Sequence, residues 1–167
     1  MTHAQGPSDS PSCRPPVSWG EQFPRRPGTL AAASADDLAD LYLVSYPSGA
    51  AAADLSDAQQ EIAATFRGEF GILRTDASAT AWIDHHPVGA VMVVERSIWD
   101  EGLEGPFIID LFVSPQARGR GVGRSLVQHA VQICALAGDA ALSLRIGGGT
   151  SPAALAIYAS LGFANSD

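Results

Sequence analysis

Seven residues, Arg118-Gly119-Arg120-Gly121-Val122-Gly123-Arg124, constrain this chain more than any other stretch. Before them runs an apolar segment, Phe107–Val113, interrupted only by Asp110. After them, Gly121–Ala137 carries Val122, Leu126, Ala130, Ile133 or Cys134, and Ala137 at helical spacing, with Gly138 as the stop. The pattern predicts a strand, a tight glycine-rich turn and a helix. A helix start leaves about four backbone N–H groups unpaired and carries partial positive charge. Glycines let that backbone approach an anion with no Cβ in the way. With three arginines alongside, the turn suits a phosphate or pyrophosphate. The chain has no lysine, so a Walker loop is excluded. The G-x-G-x-G spacing and the hairpin expected upstream both weaken a dinucleotide fingerprint.

The arginines of this turn stand out because the chain is acidic. It has 167 residues and a formal charge of −8. That balance argues against general nucleic-acid binding and favours a cationic small molecule as partner. The missing lysine also excludes Schiff-base chemistry and lysine autoacetylation. Two cysteines, Cys13 and Cys134, build neither a disulfide framework nor a four-cysteine zinc site, and a reduced cytoplasm is the expected compartment. No apolar run approaches the ~20 residues of a membrane span, and no secretory signal is expected at the N-terminus.

Residues 1–28 are Pro-rich and read as a disordered tail; residues 29–167 read as one domain. In the domain a short strand, Thr29–Ala33, precedes a helix capped by Ser34 and carrying Leu38, Leu41, Tyr42 and Tyr46. A second helix starts at Ser56 or Asp57. Strands at Ala79–Asp84 and Val88–Arg96 flank a turn at His85-His86-Pro87, and Trp99 to Pro106 is an acidic loop. A strand at Ala141–Ile146 and a helix at Ser151–Leu161 close the chain. The order β-α-α-β-β-β-α-β-α, an antiparallel meander followed by a βαβ crossover, predicts an α/β fold of the mixed α+β kind.

These residues resemble the GNAT superfamily of acyl-CoA-dependent N-acetyltransferases. The family motif Q/R-x-x-G-x-G/A is matched by Arg118, Gly121 and Gly123, and Asp110-Leu111-Phe112-Val113-Ser114-Pro115 resembles the strand that precedes it. The downstream pattern N-x-x-A-x-x-x-Y-x-x-x-G-F is matched by Ala154, Tyr158, Gly162 and Phe163, with Ser151 where Asn is usual. The resemblance implies a mostly antiparallel sheet flanked by helices and splayed into a cofactor cleft. It implies acetyl-CoA as cosubstrate, no metal, and a primary amine of a small molecule or peptide as acceptor. Leu111, Phe112 and Val113 would then pair with the pantetheine arm. Gly119, Arg120, Gly121, Val122, Gly123 and Arg124 would hold the pyrophosphate together with Arg118, and Ser151 and Ala154 would line the other wall.

By the same resemblance Tyr158 is the acid that protonates the departing thiolate. Asp110 is a carboxylate in an apolar strand, and such a group has a partner or a task. Base or amine contact and a purely structural hydrogen bond are both open. Polyamine-acetylating relatives carry Glu-Asp here, and Ile109 stands in the Glu position. Because side chains alternate along a strand, Asp110 is expected on the opposite face from Ile109. His85 and His86 read as exposed turn residues and Cys134 as helix core.

Only four residues follow Phe163, whereas the family fold closes with two further strands. The strand carrying Leu142 and Leu144 is therefore expected at an uncovered edge, to be covered by the tail or by a second copy in a homodimer. A non-catalytic CoA-binding or interaction module that has lost its acceptor side is the alternative function.

Overall fold

The computed structural model describes residues 2–5, 28–30, 35–147 and 150–165. Seven strands form one sheet: β1 (Thr2–Gln5), β2 (Gly28–Thr29), β3 (Ala79–Ile83), β4 (His86–Val94), β5 (Phe107–Val113), β6 (Ala141–Leu144) and β7 (Phe163–Asn165). Four helices accompany them: α1 (Ala35–Ser45), α2 (Leu55–Phe66), α3 (Val122–Ala137) and α4 (Pro152–Ser160). The spatial order is β2-β3-β4-β5-β6-β1-β7. Every pairing is antiparallel except β5 with β6, which α3 connects as a crossover.

The apolar run of β4 follows from burial on both faces. Val91 and Val93, with Ala79 and Ala81 of β3, pack with Val122, Leu126, Val127, Ala130 and Cys134 of α3. Ala90 and Met92 pack on the opposite face with Leu38, Leu41 and Tyr42 of α1 and with Ala58 and Ile62 of α2. A glycine in β4 lets α3 sit tight on the sheet. A Cβ on Gly89 would stand 2.8 Å from Val122 Cγ1 and 3.0 Å from Leu126 Cδ1. The β3–β4 hairpin turns through Asp84 and His85, both at positive φ (47° and 65°), the backbone of a primed two-residue turn. The turn thus lies one residue earlier than the sequence implies, and His86 opens β4. Asp54, not Ser56 or Asp57, caps α2, accepting from the Asp57 amide at 3.0 Å. The expected Ser34 cap lies outside the described residues.

The N-terminal end departs from the sequence reading. Thr2–Gln5 form a strand inserted between β6 and β7, with Thr2 opposite Leu144 and Gln5 opposite Ala141. The physical reason is the edge itself: β6 presents a row of backbone N–H and C=O groups, and β1 supplies their partners. Among the two expected covers, the chain's own N-terminal segment takes the place. Residues 6–27 of the tail expected to be disordered lie outside the described residues. Phe163–Asn165 pairs with β1 as a short closing strand, so a C-terminal strand is present after all.

Candidate active site

The site is built around a fault in β5. Along this strand Val113, Leu111 and Asp110 face Gly89, Val91 and Met92, but the next residue of β4, Val93, faces Ile108. Ile109 is therefore an extra residue, a β-bulge, which bends the strand and re-aims its side chains. The parallel pairing with β6 stops at the same point: Phe107 faces Ser143 and Ile108 faces Leu144. Beyond Ile108, β5 and β6 part. Leu111, Phe112 and Val113 thus lie on a stretch of β5 that pairs with β4 alone. The splay expected in the sheet is present, with the bulge at its root.

The bulge also corrects the expectation for Asp110. Strict alternation would send Ile109 and Asp110 to opposite faces. Instead Ile109 packs with the α1/α2 cluster and Asp110 reaches α1, where the Tyr46 hydroxyl donates a hydrogen bond to its Oδ1. Both residues line one cleft of about 80 Å³ with Tyr42, Glu61, Ile62, Thr65, Phe70 and Trp99. Burial raises the Asp110 carboxyl to about 6, against the lowering effect of the Tyr46 hydrogen bond. The Tyr46 hydroxyl is raised well above the ordinary tyrosine range, by burial first and then by Asp110.

Tyr158 approaches from the other layer. It is on α4, 8% exposed, with its ring tilted against Phe163 at 5.7 Å. Burial and then the Asp110 charge push its hydroxyl up to about 12. The Asp110 charge thus acts on the hydroxyls of both Tyr46 and Tyr158. At neutral pH Tyr158 keeps its proton.

The glycine-rich turn has the backbone its sequence implies. Gly119 and Gly121 have φ of 72° and 82°, the left-handed region that favours glycine. Gly121 is the N-cap of α3 and has no side chain to satisfy the first-turn amides, so they stay available to an anion. Gly123 serves packing: a Cβ there would lie 3.2 Å from Ile157 Cδ1 of α4. The three arginines differ. Arg118 Nε donates to the Val113 carbonyl at 3.1 Å, and its Nη2 donates to the Ser45 carbonyl at the end of α1. It ties α1 to the tip of β5 and complements the negative end of that helix. Arg124 Nη1 donates to Ser160 Oγ of α4. Arg120 is exposed beside the turn. Ser151 caps α4, its hydroxyl accepting from the Ala154 amide at 3.2 Å. Ser151 is exposed and Ala154 half-buried at the start of α4.

Several residues in the cleft or bonded to its wall carry no motif signal. Tyr46, Tyr42 and Phe70 sit at helical apolar spacing or just beyond a helix, and Trp99 is in a loop. The one hint was Asp110 itself, a lone carboxylate that needs a donor. His85 and His86 are exposed, and Cys134 is buried in α3 with its thiol raised to about 11 by burial. Among the described residues, no group of three or more His, Cys, Asp or Glu is placed to hold a metal. None of the described helices is long and apolar enough to cross a membrane.

Comparisons with solved structures agree with this architecture. An apo aminoglycoside 6'-N-acetyltransferase, AAC(6')-IG from Acinetobacter haemolyticus, is 17% identical with a TM-score of 0.57, over 84% of this chain and 90% of that one. PH1933 from Pyrococcus horikoshii OT3 is 18% identical with a TM-score of 0.65, over 86% and 88%. AAC(6')-Iy, solved with the bisubstrate analog CoA-S-monomethyl-acetylneamine, is 19% identical with a TM-score of 0.53, over 80% and 86%. At these identities the likeness is one of fold. A search of curated protein sequences gives no match. Residues 35–163 match the Acetyltransferase (GNAT) family, which covers the bulge, the glycine-rich turn and Tyr158. The chain therefore belongs to the GNAT family of acetyltransferases.

Proposed function

We propose that this protein transfers an acetyl group from acetyl-CoA to a primary amine of a small molecule or peptide. The observation that carries the reading is the splay of β5 from β6, with a carboxylate on one side and a protonated tyrosine on the other. The residues fit the cosubstrate. The unpaired flank of Leu111–Val113 offers backbone groups to an amide-bearing arm, and the open turn from Gly119 to Arg124 offers first-turn amides and Arg120 to a pyrophosphate. Arg118 supports that turn through the backbone of Val113 and Ser45. Ser151 and Ala154, at the capped start of α4, would line the other wall. A structure of the same fold holding a CoA-based bisubstrate supports the assignment.

Acetyl-CoA supplies the activated acetyl thioester. The neutral amine nitrogen forms the new C–N bond as the C–S bond breaks, giving an acetamide and the free thiol of CoA. Asp110, held by Tyr46, takes the proton that the amine sheds. Tyr158 gives its hydroxyl proton to the leaving sulfur. A positioned acid or base of this kind contributes about 10²–10⁴-fold. The formed cleft beside Asp110 favours catalysis over a module without an acceptor side. The acidic chain suits a cationic acceptor, and its charge balance argues against general nucleic-acid binding. A cytoplasmic location, where acetyl-CoA is made and used, belongs to the same reading.

The test is a screen of primary amines with acetyl-CoA and mass analysis of the products. A gain of one acetyl group on an amine, with release of CoA thiol, is expected. Binding of CoA with no acetylated product from any amine would overturn the catalytic reading.

A further inference from the structure

The outer half of the acceptor cleft is not explained by acetyl transfer alone. Trp99 is 49% exposed at its mouth, stacked on Phe70 at 6.1 Å with 24° between the rings. The loop that carries it is pinned rather than buried. The Trp99 amide donates to Ser97 Oγ at 3.2 Å, Ser97 Oγ donates to Asp100 at 3.2 Å, and Arg145 grips both Asp100 oxygens at 2.9 and 2.8 Å. Glu61 lines the same cleft, and its charge is felt by Tyr42 and Asp110.

A second carboxylate is a poor neighbour for the reacting nitrogen. That nitrogen must be neutral to attack, and every nearby negative charge favours its protonated form. Glu61 makes sense beside a nitrogen that keeps its charge throughout. A half-exposed, pre-positioned indole suits the same cation, since ammonium groups are attracted to aromatic rings. The cleft is small, about 80 Å³, which suits a slim, unbranched acceptor.

We propose that Glu61 and Trp99 form an outer subsite for a second nitrogen that stays protonated throughout, and that the preferred acceptor is an aliphatic diamine. This rests on the acetyltransferase reading above, with the reacting nitrogen at Asp110. The probes are 1,4-diaminobutane and n-butylamine, which share a chain length and differ by one ammonium group. Each is titrated calorimetrically into the CoA-loaded protein and assayed with acetyl-CoA. The diamine should bind at least about 10-fold more tightly, a preference that weakens with salt because the pair is exposed. Glu61→Gln should bring the ratio of the two affinities close to one, and Trp99→Ala should lower it several-fold. Equal affinities, a ratio that survives Glu61→Gln, or no binding of either amine would overturn the subsite. Preferential binding of the diamine without its acetylation would uphold the subsite and sink the transferase reading. Equal acetylation of both amines would do the reverse.

Discussion

Tyr46 donates its hydroxyl hydrogen bond to Asp110 across 64 positions of the chain, joining the end of α1 to the bulged strand. That contact fixes the direction of the carboxylate and holds its pKa below where burial alone would put it. Tyr46→Phe keeps the ring and removes the donor. Asp110 must be ionised to accept a proton, so kcat/KM referred to the neutral form of the amine should climb with pH through about 6 and level off above it. In Tyr46→Phe the midpoint should move to higher pH and the rate at pH 6 should fall about 10-fold, a cost of the size expected for one hydrogen bond to a charged group. An unshifted midpoint would show that the pair has no part in proton transfer.

Asp110 should also set a trade between stability and activity. Its folded pKa of about 6 lies above the ordinary carboxyl value of 3.8, so the folded state binds its proton more tightly than the unfolded chain. Its favourable contribution is complete below about pH 4 and is lost as pH rises through 6. Asp110→Asn should therefore melt higher than the parent at pH 7.5, the advantage should vanish at pH 4, and turnover should drop sharply. Parallel melting curves at the two pH values check this. A variant that is less stable at pH 7.5 would contradict the assigned burial.

Gly121 tests the cosubstrate loop. With φ at 82° and the first-turn amides of α3 beside it, a glutamate there strains the backbone and puts negative charge where the pyrophosphate would lie. Ligand at 100 times its Kd stabilises a native protein by about 2.7 kcal/mol. CoA should raise the Tm of the parent accordingly and leave Gly121→Glu unmoved. Equal shifts in both proteins would remove the turn from the cosubstrate site.

The N-terminal strand makes a separate prediction. Thr2–Gln5 pairs with β6 on one side and β7 on the other. Deleting residues 1–5 leaves Leu142 and Leu144 on an open edge and detaches β7. The shortened protein should melt lower and self-associate in sedimentation, while the full chain should show the smaller species. Identical sedimentation and melting of the two would mean that β6 needs no cover.

The strand–turn–helix core of the site was legible in sequence because each part is local. Glycines mark the turn, and Val122, Leu126 and Ala130 mark the buried face of α3. What the sequence hid depends on partners far along the chain. The bulge at Ile109 is a mismatch between β4 and β5, invisible in either strand alone, and it overturned the alternation argument for Asp110. Tyr46 lay within an apolar helical stripe and gave no sign that its hydroxyl would meet a carboxylate. β1 was masked by composition: four residues ahead of a Pro-rich stretch read as tail, yet an unpaired strand edge recruits them. Arg118 was expected at the phosphate, and its two backbone partners were beyond any local pattern.

Stoichiometry tests the central claim most directly. Free CoA thiol and acetylated amine are measured in the same reaction, for the parent and for Tyr158→Phe. The parent should release one thiol for each acetamide formed. Tyr158→Phe should turn over about 10²-fold more slowly with CoA affinity nearly unchanged, because only the proton donor is gone. Thiol released with no acetylated amine, or near-normal turnover in Tyr158→Phe, would contradict the account.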